Sequence, residues 1–243
     1  MSAICIVLAL GLAAPPAAQA PADFLYKASL VQAAPGRLLE LNELSKSLRA
    51  AAPDSGDEAP FWMRHSQGDR WDLLLLYPVG SYADYYSPQR IARREKAARA
   101  SQSILDKVRD ATSWQEDVFV FGPPLTEVRS RFAGAAFFHV EMFHALPGKR
   151  SDLAREREME SAYLKALGRP ANLLFVRDQG AAWDVFTIGF YRDLKHYAES
   201  ADIPEASQEA AAKAAGFESA RHIGPYLRTL ISSHHDTLAV AIK

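Results

Sequence analysis

The pattern of apolar and polar positions predicts both strands and amphipathic helices along this chain. Runs with apolar residues at alternate positions are typical of strands, because successive side chains of a strand point to opposite faces. Apolar residues three or four apart, such as Leu38, Leu41 and Leu44, predict helices that bury one stripe. Strands are predicted over residues 25–31, 61–65, 71–77, 117–121, 137–143, 173–177, 183–191 and 237–242, and longer helical regions over about 89–112 and 204–231.

The second half of the chain repeats the first half at a spacing of 112 residues. The matched motifs are Pro35-Gly36 with Pro147-Gly148, Gln67-Gly68 with Gln179-Gly180, and Trp71-Asp72 with Trp183-Asp184. The last strands match at a spacing of 119 residues through Asp117 and Asp236, so the second copy carries an insertion around residues 203–223. The pattern therefore predicts two copies of one unit, residues 21–130 and residues 131–243.

Each copy has the order strand, helix, strand, strand, helix, strand, which is that of the ferredoxin-like split βαβ unit. The two helices of such a unit cover one face of its sheet, and the other apolar face must be buried against something. Two copies in one chain can bury these faces against each other. The predicted fold class is α+β, with two tandem ferredoxin-like repeats packed sheet to sheet as an intramolecular α/β barrel.

With this topology and the duplicated turn and Trp-Asp motifs, the chain resembles the dimeric α/β barrel superfamily in its tandem form. The resemblance covers residues 24–242. It implies a barrel whose lining decides the function, since the superfamily includes monooxygenases of the antibiotic-biosynthesis type, haem proteins, isomerases and plain binding proteins.

Composition and charge exclude several classes of function. The 243 residues include 28 Lys plus Arg and 29 Asp plus Glu, and this near-neutral balance gives no electrostatic reason to expect nucleic acid as a partner. Residues 1–20 combine a short apolar core with Ala18-Gln19-Ala20, which predicts a secretory signal peptide. We therefore expect an exported protein, periplasmic in a Gram-negative source, with no membrane attachment after signal removal. Cys5, the only cysteine, would leave with the signal, which excludes disulfides and thiolate metal sites.

A histidine and a carboxylate on the first strand of the second copy form the candidate catalytic pair. We expect the face with Phe137, His139 and Glu141 to line the barrel interior, and the face with Phe138 and Val140 to lie beneath the helices. Buried polar groups of this kind must be paired or hydrogen-bonded. The alternative is structural, either an exposed sheet face or a core histidine bonded to Glu141 or Lys27.

The segment His234-His235-Asp236, which opens the last strand, supplies a third candidate catalytic residue, His235. Adjacent strand residues point to opposite faces, so at most one of the two histidines can look into the barrel. We expect the first and last strands of a repeat to lie at different positions in the sheet, so a meeting with His139 requires a favourable arrangement. The three residues would then serve in general acid–base catalysis or hold a divalent metal, whereas a haem needs only one axial imidazole.

The candidate ligand-binding residues are Lys27, Trp71, Phe137, Arg177 and Trp183. We expect each of these two tryptophans to fill a barrel end, while the aspartate that follows it ties down backbone N–H groups of the hairpin. The charged run at residues 155–160 is expected to form a solvated helix face, and the alternative is that Arg157 or Glu160 reaches the mouth of a pocket.

The sequence is compatible with three functions. The first is a protein that binds a small, partly apolar ligand between the two repeats. The second is an oxygenase- or isomerase-type enzyme that uses His139 and Glu141, either without a cofactor or with haem or a metal. The third is a structural exported domain that acts through its surface, with a homodimer as its assembly. No catalytic constellation is complete at motif level, which favours binding.

Overall fold

A computed structural model describes residues 24–242, so the predicted signal peptide and Cys5 lie outside the described residues. The strands are β1 (Phe24–Ala33), β2 (Phe61–Gln67), β3 (Leu73–Gly80), β4 (Thr112–Gly122), β5 (Phe137–Ala145), β6 (Leu173–Gln179), β7 (Val185–Tyr191) and β8 (Ile231–Ala241). The helices are α1 (Leu38–Ala51), α2 (Tyr82–Tyr85), α3 (Pro88–Ala100), α4 (Gln102–Asp110), α5 (Leu125–Ala133), α6 (Arg150–Ala166), α7 (Leu194–Ala198), α8 (Glu205–Ala214) and α9 (Ile223–Arg228). Among residues 24–242, no helix combines the length and the apolar character that crossing a membrane requires.

The eight strands form one closed antiparallel barrel in the order β1-β3-β2-β8-β5-β7-β6-β4. Within this order, β4-β1-β3-β2 and β8-β5-β7-β6 each follow the ferredoxin-like arrangement, with the first strand between the last and the third. The two halves join at two seams, where β2 pairs with β8 and β4 pairs with β6. The predicted α+β barrel of two ferredoxin-like units is confirmed.

The duplicated Gln-Gly motifs lie at these two seams. Gly68 has a φ of +126°, and a Cβ atom on it would lie 2.1 Å from the carbonyl oxygen of Asp236 and 2.7 Å from the Cα of Thr237. Gly180 has a φ of +88°, and its Cβ would lie 2.7 Å from the carbonyl oxygen of Asp117. Each half thus places a glycine against the backbone of the other half's last strand, where no side chain fits.

Side chains from all eight strands fill the barrel interior. The largest include Tyr26, Met63, Leu74, Phe138, Phe175, Phe186 and Phe190. An eight-stranded barrel has an interior just wide enough to be filled by side chains. The barrel centre is therefore a packed core, and a ligand shared by the two halves must bind at an end of the barrel.

The two barrel ends are closed by different elements. At one end, α5 places Val128 and Phe132 against the core, and the Phe132 ring stacks on Phe61 at 4.7 Å between centroids. This helix links the two halves and was not expected from the sequence. At the other end, the buried rings of Trp71 and Trp183 join the core cluster, where the sequence places them.

The aspartates beside these tryptophans tie the first strand of each half to the third. A carboxylate oxygen of Asp72 accepts the backbone N–H of Ala33 at 2.8 Å, and one of Asp184 accepts that of Ala145 at 2.9 Å. The expected backbone hydrogen bonds are present, but they reach the end of the first strand instead of the hairpin.

The faces of β5 are the reverse of the expected ones. Phe138 and Val140 line the barrel interior, whereas Phe143, two residues on from Glu141, packs against Leu153 of α6 on the outside. The closed interior is apolar, while α6 supplies a buried guanidinium, Arg157, 3.7 Å from the Glu141 carboxylate. Because an unpaired buried charge is costly, β5 turns its polar face towards the helix that carries the counter-charge.

We expect Gly68→Ala to lower the free energy of unfolding by roughly 2 to 4 kcal/mol, because the methyl group meets backbone atoms at a positive φ. Urea unfolding followed by circular dichroism measures the change. The matched control is Gly134→Ala, since Gly134 has a φ of −102° and an added Cβ meets no atom within 4 Å. Equal stability of the two variants would show that the seam tolerates a side chain.

Candidate functional site

His139 lies on the outer face of β5, between two carboxylates. Its Nε2 is 3.4 Å from Oδ1 of Asp236, and its Nδ1 is 4.0 Å from Oε2 of Glu141. Glu141 and Asp236 are direct partners in the pairing of β5 with β8. One ligating atom from each of the three side chains lies within 4.8 Å of the other two.

The residue that meets His139 from β8 is Asp236, and His235 does not reach it. The ferredoxin-like order makes β5 and β8 neighbours, so the expectation that the first and last strands lie apart is wrong. Alternation along β8 puts His234 and Asp236 on the outer face, where His234 Nε2 lies 3.2 Å from Asp236 Oδ2. His235 points the other way, and its Nδ1 lies 3.7 Å from Asp69.

Helix α6 covers this cluster with buried charges. Arg157 and Glu156 are 1% and 0% exposed, and the guanidinium donates to both oxygens of Glu156, from Nε at 2.6 Å and from Nη2 at 2.7 Å. The remaining nitrogen, Nη1, faces Glu160 and the Glu141 carboxylate. The expectation of a solvated face is therefore wrong for this side of the helix, because Arg157 stacks on the Phe143 ring with its charge paired.

The charges in the cluster shift its pKa values. Burial by itself lowers the pKa of His139, but the contact with Asp236 and the charge of Glu141 outweigh it, so the pKa lies above its ordinary value. The same contact holds the pKa of Asp236 below its usual range. Burial raises the pKa of Glu160 to about 7 against the opposing charge of Arg157, and Glu141 and Glu156 add to the rise.

Two further groups orient the cluster. The hydroxyl of Thr187, on β7, donates to Oε2 of Glu141 at 3.0 Å. The Tyr197 ring lies 5.4 Å from the His139 ring and 5.8 Å from the Phe137 ring, measured between centroids. Phe137 therefore packs beside the histidine on the outside of the barrel, away from its interior.

A second candidate site is a cavity of about 310 Å³ at the tryptophan end of the barrel, which we call the mouth. Both halves contribute to it, and Leu30 with Met142 and Trp71 with Trp183 are equivalent positions of the repeat. The other lining residues are Asp69, Arg70, Trp114, Glu116, His144, Ala182 and His235. Of the predicted site residues, the mouth therefore brings together Trp71, Trp183 and His235.

The tryptophans give the mouth its chemical character. Trp71 and Trp183 are 1% and 4% exposed, and within residues 24–242 neither buried indole Nε1 has a hydrogen-bond acceptor. Trp114 extends the aromatic wall, and the Arg70 guanidinium stacks 4.5 Å above its ring. A buried donor without an acceptor costs about 1–3 kcal/mol, so each of these two indoles beside the mouth carries an uncompensated hydrogen-bonding group.

The other predicted ligand-binding residues lie outside the mouth. Lys27 is on the outer face of β1, where its Nζ is 3.4 Å from Asp117 and 4.8 Å from the centre of the Tyr77 ring. Arg177 pairs with Asp184 at 2.7 Å. Burial would raise the pKa of Asp184, but hydrogen bonds from Arg177 and Ala145 outweigh it and hold the pKa below its usual value.

The sequence reasoning missed Asp236, Arg157 and Trp114, each for a different reason. The match of Asp117 with Asp236, combined with the ferredoxin-like strand order, contained the signal for Asp236. Strand β4 begins at Thr112, five residues before the predicted start, so Trp114 had no assigned place in the barrel. For Arg157 the sequence indicated only a solvated helix face or a pocket mouth, because its charged neighbours resemble those of an exposed helix.

Comparisons with known proteins identify the fold. No protein-family model matches the chain, and no curated protein matches its sequence. An anthrone oxidase-like protein superposes with a TM-score of 0.55 and 9% identity, over 91% of this chain and 92% of that chain. A proposed monooxygenase from Lactobacillus acidophilus NCFM superposes with a TM-score of 0.50 and 8% identity, over 91% of this chain and 100% of that one. The chain has the dimeric α/β barrel fold, and at these identities the likeness shows the fold alone.

We expect Glu160→Gln to flatten the pH dependence of stability between about pH 4.5 and pH 7. The folded-state pKa of Glu160 is raised to about 7 from 4.5, so the wild-type protein loses stability as pH rises through this window. The glutamine cannot ionise, and the variant should gain free energy of unfolding relative to wild type as pH increases. Urea unfolding at pH 5 and pH 8 measures this difference. Glu158→Gln, on the exposed side of the same helix, is the control, and parallel pH curves for the two variants would contradict the assignment.

Proposed function

We propose that the protein binds a small, flat, partly apolar molecule at the mouth of the barrel. The observation that carries this proposal is the cavity of about 310 Å³ that both halves line and that three tryptophans wall. The packed barrel core leaves an end of the barrel as the place where the two repeats can share a ligand. Small-molecule sites typically combine an apolar, aromatic lining with a few convergent polar groups, as the mouth does.

The lining indicates what kind of molecule fits. Trp71, Trp114 and Trp183 offer aromatic surfaces, and Leu30 and Met142 are apolar, which suits a fused or single aromatic ring system. The indole N–H groups supply donors without acceptors, so an acceptor oxygen on the ligand would relieve the cost of their burial.

The charges of the mouth favour an uncharged ligand. The lining carries two carboxylates, Asp69 and Glu116, against one guanidinium, that of Arg70, which stacks on the Trp114 ring, so a carboxylate ligand would add to the negative charge of the lining. An aromatic ketone or quinone carries acceptor oxygens without a charge. We therefore propose this chemical class for the ligand. The roles predicted for His139 and Glu141 in catalysis do not enter this proposal and stay predictions.

The binding test uses 1-tetralone as the probe and tetralin, the same ring system without the carbonyl oxygen, as the control ligand. We expect saturable binding of 1-tetralone that quenches tryptophan fluorescence, with weaker binding of tetralin. Trp183→Phe keeps an aromatic ring but removes the N–H donor, and should weaken 1-tetralone binding by roughly 2- to 10-fold. Calorimetric titration gives the affinities.

The matched control is Trp62→Phe, because Trp62 lies on the outer face of β2 beside α1, away from the mouth. We expect it to bind 1-tetralone as the wild-type protein does. The proposal fails if the wild-type protein binds neither compound, or if the two tryptophan variants weaken binding equally.

We infer separately that the protein is exported with cleavage after Ala20, on the basis of the apolar core and the Ala18-Gln19-Ala20 segment. Amino-terminal sequencing of the protein from its native source should begin at Pro21. A protein that keeps residues 1–20 in its native compartment would contradict export with cleavage.

A further inference from the structure

We infer that His139, Glu141 and Asp236 form a binding site for a divalent transition-metal ion on the outer face of the second half. This site and the mouth lie on opposite faces of the sheet, because Asp236 and His235 are adjacent residues of β8. The inference therefore stands or falls independently of ligand binding at the mouth.

The three side chains supply a chemically coherent ligand set. One imidazole nitrogen and two carboxylate oxygens lie within 4.8 Å of one another, so small side-chain movements bring them to coordination distance. Imidazole suits zinc, iron and related ions, whereas calcium and magnesium prefer sites built of oxygen alone. The set accordingly fits Zn²⁺, Mn²⁺ or Fe²⁺.

The cluster carries more negative than positive charge. Four carboxylates meet here, those of Glu141, Glu156, Glu160 and Asp236. Among residues 24–242, Arg157 is the only lysine or arginine that forms an ion pair with any of these four. Two of its nitrogens bond to Glu156, which leaves Nη1 to face both Glu141 and Glu160. A dication bound to His139 would take the place of the proton of its imidazole and bring a second positive charge to the carboxylates that Arg157 does not pair.

The equivalent positions on the sheet of the first half do not form a metal-ligand set. Asp117 is the equivalent of Asp236, but Lys27 stands at the position of His139 and Ser29 at that of Glu141. Lys27 Nζ lies 3.4 Å from Asp117, whose other oxygen accepts from Ser29 at 2.5 Å. Each oxygen of this carboxylate thus has a protein partner. The second half has a metal-binding imidazole in place of the permanent cation and adds a second carboxylate.

The three proposed ligands are held by neighbouring polar groups of the kind that orient ligands at metal sites. Thr187 holds Oε2 of Glu141 with a hydrogen bond of 3.0 Å, and His234 lies 3.2 Å from the second oxygen of Asp236. Such contacts orient ligands and are typical of the groups behind a coordination sphere. The Asp236 side chain is 51% exposed, which leaves a path for the ion and room for water as further ligands.

The test is metal titration of the full chain after treatment with a chelator. We expect one Zn²⁺ per chain by calorimetry, one Mn²⁺ by electron paramagnetic resonance, and a visible d–d absorption band on addition of Co²⁺. Asp236→Asn should weaken Zn²⁺ binding by roughly 100-fold or more, and Thr187→Val by about 10- to 100-fold, since it removes only the group that orients Glu141.

The decisive variant is His139→Lys, which rebuilds in the second half the ion pair that the first half contains. It should abolish binding of all three ions while the urea unfolding midpoint stays close to that of wild type. His222→Gln is the matched control, because His222 pairs with Glu218 and is not one of the three grouped ligands, and the affinity of this variant should equal that of wild type. Absence of stoichiometric binding by the wild-type protein, or equal binding by wild type and Asp236→Asn, would overturn the inference.

Discussion

Closure of the sheet is the constraint on which the rest of the structure depends. Each half is a four-stranded sheet with two edges, and the seams of β2 with β8 and β4 with β6 remove all four edges at once. Closure requires the turn of one half to lie against the backbone of the other, at Gly68 and Gly180. It also fixes the interior volume, which side chains of an eight-stranded barrel fill completely. The apolar interior then excludes charged groups, so both candidate sites lie outside it, one at the tryptophan end of the barrel and the other on the outer face.

The two candidate sites use the duplication in opposite ways. The mouth is built largely from equivalent positions, such as Leu30 with Met142 and Trp71 with Trp183, because both halves present the same edge to the same end of the barrel. The cluster around His139 keeps the aspartate of the last strand, but the copies differ at its other two positions, with Lys27 and Ser29 in the first half. The insertion in the second copy falls among the helices of that half. The first half therefore has an ion pair between Lys27 and Asp117, whereas in the second half several carboxylates surround the imidazole of His139.

Much of the fold, but less of the sites, could be predicted from the sequence. Repetition of whole motifs revealed the duplication, and the order of strands and helices led to the barrel, since few topologies bury two bare sheet faces. The tryptophans were placed at a barrel end because they follow a turn and begin a strand. The faces of β5 were reversed, because both faces carry large apolar residues and alternation states only which residues share a face. The charged run around Arg157 predicts a solvated face or a residue at a pocket mouth, and not a buried counter-charge, since local sequence does not show what lies opposite a helix.

The sequence by itself determined the duplication, the order of elements and the glycines at the turns, because these depend on local backbone preference and on the period of apolar residues. Only the tertiary structure decided which face of each strand looks inward, which strand lies beside which, and hence that Asp236 and not His235 meets His139. The physical reason is that burial of charge depends on the counter-charges available across the whole assembled sheet. Those partners come from residues far apart in the chain, and they come together only when the barrel closes.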